Sequence, residues 1–233
     1  MEKDGGIDEI IAEIIEILHD TNAEEEPRAP PAIPQELREA GRKQEYEMLD
    51  AFNAKKDIHR SQVPRGTKLV RSMWVESMKG DVCRSRLVAM EFAAGLEKDG
   101  VFAATPSAAG LRIVVVISTV EDLALMITDF SSAFLHAPAE ETMYVIPPKD
   151  YTQDPNVIWE VTQALYGFRK SPKWFQDWLT EILVKRLEFV QCRTDPQVYV
   201  GRKRRVILDI HVDDPLGAGT EKNLKATMDE LKH

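Results

Sequence analysis

Two β-hairpins in the sequence constrain the fold more than any other feature of the chain. Residues 68–77 and 82–92 are rich in β-forming side chains, and Lys79-Gly80-Asp81 between them is typical of a hairpin turn. A second pair of runs, at 198–200 and 206–212, is joined by Gly201-Arg202-Lys203. Apolar residues alternate along the last run, which predicts a strand with one buried face. Antiparallel hairpins of this kind favour a mixed fold over a doubly wound parallel sheet.

Helical patterns between the hairpins complete the prediction of an α+β fold. We expect helices over 35–53, 109–120, 171–187 and 221–231, a buried strand over 123–129, and a short helix or turn over 130–136. The longest apolar run, 113–117, is far shorter than the roughly 18 residues that span a bilayer. We therefore expect no membrane partner. Because the acidic N-terminus is not a secretory or mitochondrial signal, we expect an intracellular location, and the choice between cytoplasm and nucleus stays open.

The negative charge of the chain is concentrated at its N-terminus. The formal net charge is -9, and residues 1–26, with ten acids and one base, account for all of it. An acidic chain argues against nucleic-acid binding, but residues 27–233 are neutral, which weakens that argument. Apolar residues between Ile7 and Leu18 recur at helical spacing, so we predict an acidic amphipathic helix that packs on the body or binds a protein partner.

Composition also predicts where the parts of the chain meet. Residues 27–44 contain a proline-rich linker and the start of a helix, and 45–233 form the main region. Cys83 and Cys192 are too few and too far apart for a disulfide framework or a zinc site.

Three aspartates are the candidate metal ligands. Asp129 follows one apolar strand, and Asp213-Asp214 follows another. A sheet fixes the backbone of such residues, and their hard oxygen ligands suit Mg²⁺ or Mn²⁺. The alternative is structural, because Asp-Asp pairs also cap strands or begin turns, and Pro215 with Gly217 favours a turn here.

Several segments together resemble the reverse transcriptases of copia-type retrotransposons. The segments, with the family pattern after each, are Met73-Trp74-Val75 and Arg84-Ser85-Arg86-Leu87-Val88-Ala89 (KWVF…KARLVA), residues 127–136 (LDVxxAFLxG), 141–148 (EExYMxxPxG), 164–174 (ALYGLKQSPRxW), 195–199 (D-xx-L/V-[YF]) and His211-Val212-Asp213-Asp214 (YVDD). Because they occur in the family's order over about residues 45–220, they make a far more specific match than any one of them alone.

The resemblance implies a right-hand polymerase with fingers and palm subdomains that copies RNA or DNA templates into DNA. It implies that Asp129, Asp213 and Asp214 are the catalytic, metal-binding carboxylates and that Mg²⁺ or Mn²⁺ is the cofactor. Template-primer and deoxynucleotides are the implied partners. The implied nucleotide-binding residues are Arg84, Arg86, Ala133, Phe134, Tyr166 and Gly167, with Phe134 excluding the sugar 2′-OH.

The sequence also departs from the family pattern. His211 replaces the tyrosine before Val-Asp-Asp, and Pro215, which lacks an amide donor, is expected to distort the hairpin. Glu76 and Ser77 stand where Phe-Lys is usual. Since the chain ends at His233, we expect the thumb and ribonuclease H domain to be absent. The alternative function is therefore a truncated, inactive remnant that acts at most as a binding or interaction protein.

Overall fold

Within the part of the chain that the structure describes, there are two five-stranded sheets, and each predicted hairpin lies in a different sheet. The computed structural model describes residues 32–91 and 107–231. From Gln35 onwards the described residues form one compact unit. The predicted acidic helix between Ile7 and Leu18 lies outside the described residues.

The first sheet has the strand order β1-β6-β5-β2-β3. Its strands are β1 (Lys55–His59), β2 (Leu69–Lys79), β3 (Val82–Ala89), β5 (Pro138–Ile146) and β6 (Val157–Gln163). All neighbours are antiparallel except β2 and β5, which are parallel. The β2–β3 hairpin turns at Gly80-Asp81 between the paired Lys79 and Val82, as predicted. Helix α1 (Gln35–Ala51) packs on β3.

The second sheet is antiparallel throughout, with the order β4-β10-β9-β8-β7. Its strands are β4 (Ala124–Ile127), β7 (Val190–Gln191), β8 (Val198–Gly201), β9 (Val206–His211) and β10 (Asp214–Gly219). Val206, Leu208 and Ile210 are buried on one face of β9, as their alternation predicted. The β9–β10 hairpin turns at Val212-Asp213, with Val212 in the left-handed region at φ 56°.

Three further helices cover the second sheet and close the core. They are α2 (Ala108–Val120), α3 (Ser171–Glu181), which continues as a π-helical turn (Ile182–Arg186), and α4 (Glu221–Leu231). Pro172 lies in the first turn of α3, where its missing amide costs no helical hydrogen bond. Trp174 and Phe175 are buried in the main core, so this aromatic stripe packs the interior. A short 3-10 helix (Ala133–His136) follows β4.

The mixed α+β prediction is confirmed, but two local predictions are wrong. The strand predicted over 123–129 is shorter and not buried: Leu125 is 46% and Ile127 is 77% exposed. Pro215 and Gly217 form no turn, because both lie in β10, and Pro215 pairs with Ile210 in an unbroken ladder. Within the described residues, no helix is long and apolar enough to cross a membrane.

Candidate functional site

The three aspartates predicted to bind metal lie at one end of the second sheet. Asp213 occupies the turn between β9 and β10, and Asp214 begins β10 opposite His211. Strand β4 pairs with β10, and just beyond it the Phe130 amide donates a hydrogen bond to the Asp213 carbonyl oxygen at 2.9 Å. Asp129 therefore lies beside the turn. Strand pairing brings residues that are distant in sequence to one corner of the sheet.

The side chains of the three aspartates face different surroundings. Asp129 lines a cavity of about 300 Å³ together with Phe52 and with Met228 of α4. Asp213 lies within electrostatic reach of Tyr166, whereas Asp214 lines a separate cavity on the side of α2. Within residues 32–91 and 107–231, no three His, Cys, Asp or Glu side chains are grouped closely enough to hold a metal ion. Joint metal binding by the aspartates stays a prediction.

A second group of predicted residues surrounds Tyr166. The Arg86 guanidinium carbon lies 4.5 Å from the centroid of the Tyr166 ring, and the Phe134 ring centroid lies 4.7 Å from it. Arg84 joins Arg86 and Tyr166 around a cavity of about 140 Å³. Ala133, which precedes Phe134, is 1% exposed. The structure thus gathers these residues into an arginine–aromatic cluster (Arg84, Arg86, Phe134 and Tyr166), whose role in nucleotide binding stays a prediction.

The loop that carries Tyr166 is attached directly to strand β3. The Ala89 amide donates a hydrogen bond to the Tyr166 carbonyl oxygen at 2.7 Å. Gly167 follows with φ +91°, a conformation that favours glycine. This backbone contact holds the Tyr166 ring against the strand from which Arg86 extends.

Tyr166 also connects the cluster electrostatically with the aspartate corner. Burial raises the pKa of its hydroxyl, the positive charge of Arg86 lowers it, and the negative charge of Asp213 raises it; the net shift is upward. The buried hydroxyl oxygen has no hydrogen-bond partner within the described part of the chain. The effect of Asp213 on Tyr166 indicates that the turn between β9 and β10 lies near the arginine–aromatic cluster.

Glu45 on α1 lies beside this cluster and was not predicted from the sequence. Its carboxylate accepts a hydrogen bond from the Leu87 amide at 3.0 Å, and it lines the cavity beside Arg84 and Arg86. Burial raises its pKa, while the Leu87 amide and the two arginines lower it, and the net shift is upward. A signal existed, because Glu45 lies one helical turn before the buried Leu49 and so shares its face.

The other missed residue is Asp209, an acid in the apolar strand β9. It is 3% exposed, although the sequence suggested a functional role only for the aspartates that follow this strand. Side chains alternate between the two faces of a strand, so Asp209 lies on the face opposite to Leu208 and Ile210. This alternation could have identified Asp209 from the sequence.

Comparison with known proteins decides the family. The family model described as reverse transcriptase (RNA-dependent DNA polymerase) matches residues 57–233, which include all nine predicted site residues. The chain belongs to this family. Reverse transcriptases bind template-primer nucleic acid and generally use divalent metals.

Curated relatives place the domain within retrotransposon polyproteins. The chain is 26% identical over 181 residues to the retrovirus-related Pol polyprotein from transposon TNT 1-94 of Nicotiana tabacum, covering 72% of this chain and 14% of the relative. It is 25% identical over 182 residues to the corresponding polyprotein from transposon RE1 of Arabidopsis thaliana, covering 72% of this chain and 12% of the relative. The chain thus corresponds to a small part of each polyprotein, its reverse transcriptase domain.

Proposed function

We propose that the chain is the polymerase core of a copia-type reverse transcriptase and adds deoxynucleotides to a primer 3′-OH. The observation that carries this proposal is the meeting of Asp129, Asp213 and Asp214 at one corner of the second sheet, in a chain that belongs to the reverse transcriptase family. In this proposal the second sheet is the palm, and the β2–β3 hairpin with α1 belongs to the fingers.

The aspartates have the chemistry that Mg²⁺ or Mn²⁺ requires. All three offer hard carboxylate oxygens, and Asp129 and Asp214 are exposed, so their side chains are free to change rotamer and turn towards Asp213. Held by Asp129, Asp213 and Asp214, two such ions would supply positive charge to neutralise the triphosphate and to activate the primer hydroxyl. The backbone of the second sheet holds the Cα atoms of the three aspartates close together in the absence of a ligand.

The arginine–aromatic cluster would bind the incoming nucleotide. Arg84 and Arg86 extend from one face of β3 beside a cavity and present guanidinium donors suited to phosphate oxygens. Phe134 packs against Tyr166, and together they form an aromatic wall on which the sugar is selected by its shape. Binding of the phosphate tail and exclusion of the 2′-OH are thus assigned to neighbouring side chains.

Primer extension by the full chain tests the proposal. Purified protein is given a primed RNA or DNA template, dNTPs and Mg²⁺ or Mn²⁺. We expect Asp213→Asn to reduce extension by roughly a hundredfold or more, since it removes transition-state charge stabilisation. Asp229→Asn, which changes an exposed aspartate of α4, is the matched control and keeps full activity. Equal extension by the wild type and Asp213→Asn would refute the proposal.

One observation favours the second candidate function, an inactive remnant that retains only binding. The three aspartate side chains face separate surroundings, and within the described ranges no three metal-ligand side chains converge. This candidate predicts no extension by any variant. It also predicts that titration with Mn²⁺, followed by electron paramagnetic resonance, gives the same weak binding in the wild type and in Asp213→Asn.

A further inference from the structure

Among the residues that the structure describes, the buried carboxylate of Asp209 has no hydrogen-bond partner. It is 3% exposed, and neither of its carboxylate oxygens has a hydrogen-bond partner among the described residues. A buried carboxylate normally has charged or hydrogen-bonding partners, because leaving it unpaired costs several kcal/mol. Burial raises the pKa of Asp209, and the negative charge of Asp195 raises it further, whereas His211 lowers it.

Asp195, the neighbouring buried acid, has hydrogen-bond donors for both of its carboxylate oxygens. Its oxygens accept hydrogen bonds from the Ser107 hydroxyl at 2.6 Å, the Ser107 amide at 3.0 Å and the Gln197 amide at 3.1 Å. Burial raises its pKa, but these donors outweigh burial and the net shift is downward. The Ser107 donors at the start of α2 therefore bind Asp195, and no other described residue donates to Asp209.

Asp209 lines a cavity of about 450 Å³ between α2 and the second sheet. The apolar part of the lining comes from Ala108, Leu111, Ile127 and Leu216. The remaining lining residues are Ser107, His211 and a second acid, Asp214, and none of the described residues that line the cavity is a lysine or an arginine. The cavity therefore has apolar walls and two carboxylates, those of Asp209 and Asp214.

We propose that this cavity binds a guanidinium group on a short apolar stem. A guanidinium presents two parallel N–H donors, which match the two unpartnered oxygens of Asp209. The stem would lie against Leu111 and Ile127, which are 49% and 77% exposed. A metal ion fits less well, because Asp209, His211 and Asp214 line the cavity but, within the described residues, no three such side chains are grouped closely enough to hold an ion.

The cavity shares Asp214 with the proposed metal site, but the proposed guanidinium binding depends on Asp209. Asp209 lies on β9 with its side chain on the face opposite to Leu208 and Ile210, which belong to the main core. Asp209 has no part in the proposed nucleotide chemistry. Binding to Asp209 and loss of extension in Asp213→Asn can consequently succeed or fail separately.

Binding of butylguanidinium to the full chain tests the proposal. Isothermal titration calorimetry should give a saturable one-site isotherm with a dissociation constant on the order of 1 mM, as expected for so small a ligand. Butylurea, a neutral molecule of the same shape, should bind at least about tenfold more weakly because it lacks the charge. Asp209→Asn should weaken butylguanidinium binding to a similar degree, whereas Asp229→Asn should leave it unchanged.

A thermal readout keeps the test decisive if a variant changes stability. Asp209→Leu replaces an unpaired buried acid with an apolar side chain, so it should melt at a higher temperature than the wild type without ligand. Butylguanidinium should raise the melting temperature of the wild type and not that of Asp209→Leu. Binding that is equal in Asp209→Asn, or equal for butylurea, would overturn the proposal, and so would the absence of saturable binding.

The same assay distinguishes two sources of the guanidinium group. The tripeptide acetyl-Gly-Arg-Gly-amide offers an arginine side chain within a polypeptide. Tighter Asp209-dependent binding of this tripeptide than of butylguanidinium would assign the site to an arginine of a polypeptide. Asp209-dependent binding of butylguanidinium alone would assign it to a small organic cation.

Discussion

At the scale of single residues, Gly167 determines how closely the Tyr166 loop approaches strand β3. A Cβ atom at this position would lie 2.0 Å from the Ala89 carbonyl oxygen and 2.6 Å from a methyl carbon of Val88. Backbone oxygen cannot move aside as a flexible side chain does, so any larger residue must displace the loop. Displacement would break the hydrogen bond from the Ala89 amide to Tyr166 and separate the Tyr166 ring from Arg86.

Gly167→Ala should therefore destabilise the protein more than left-handed backbone strain alone explains. We expect a loss of roughly 2–5 kcal/mol in the free energy of unfolding, from strain of about 1–2 kcal/mol and overpacking of about 1–3 kcal/mol. Gly66→Ala is the matched control: Gly66 has φ +82°, and nothing lies within 4 Å of an added Cβ. It should lose only the strain. Urea unfolding followed by tryptophan fluorescence measures both; equal losses would show that the close approach is unimportant.

The face of a strand on which each side chain lies could be predicted from sequence. The burial of side chains on the face opposite to the main core could not. The period of two correctly predicted that Arg84 and Arg86 share a face of β3, and the same rule places Asp209 opposite Leu208. What covers that opposite face depends on α2, which is distant in sequence from β9. Local patterns carry no information about such a contact, so the burial of Asp209 required the structure.

At the scale of elements, Pro215 affects strand β4 rather than the β9–β10 hairpin. In an antiparallel sheet, the N and C=O groups of one residue face the same neighbouring strand. The Pro215 carbonyl oxygen accepts a hydrogen bond from the Thr128 amide at 3.2 Å, so its nitrogen also faces Thr128. Pro215 therefore has no N–H group to donate to the Thr128 carbonyl oxygen. Strand β4 ends one residue before Thr128, at Ile127. The predicted distortion of the hairpin was wrong because sequence does not show which neighbour the nitrogen faces.

Pro215→Val should extend β4 by supplying the missing donor. The new amide is expected to donate to the Thr128 carbonyl oxygen, and NMR-detected hydrogen exchange should show it protected at least roughly tenfold relative to an amide in a turn. Stability should change by less than about 1 kcal/mol, because the added hydrogen bond is offset by the greater freedom of the unfolded chain.

Pro196→Val provides the comparison for that measurement, since Pro196 is exposed in the turn before β8. Its new amide should exchange rapidly. If the amides of residues 215 and 196 exchange equally fast, the nitrogen of Pro215 does not face a carbonyl acceptor, and the account of the short β4 strand fails.

At the scale of the whole molecule, the α+β class could be predicted, but the order of the strands could not. Each hairpin follows from a turn signal between two β-rich runs, and both were found as predicted. The parallel pairing of β2 with β5 and the pairing of β10 with β4 join segments far apart in sequence. The pairing of β10 with β4 brings Asp129 to Asp213-Asp214. Before the structure supplied this pairing, their grouping rested on family resemblance.

The uneven charge of the molecule leads to a prediction about nucleic-acid affinity. Residues 1–26 carry the whole net charge of -9, and the remaining chain is neutral. Because exposed charges act over a Debye length of about 10 Å at 0.1 M salt, the acidic segment should repel a nucleic acid bound nearby. Replacing its ten carboxylates with the corresponding amides keeps the length of the segment and brings the net charge close to zero.

The amide variant should bind a primer-template duplex more tightly at low salt, by roughly three- to tenfold near 50 mM, since less repulsion opposes the phosphate backbone. The difference should shrink as salt rises towards 0.5 M, where the Debye length falls to about 4 Å. Fluorescence anisotropy with a labelled duplex over a salt series measures both affinities. An equal affinity at low salt, or a difference that persists unchanged at high salt, would show that the segment does not act through its charge. The neutral body would then limit template binding by itself.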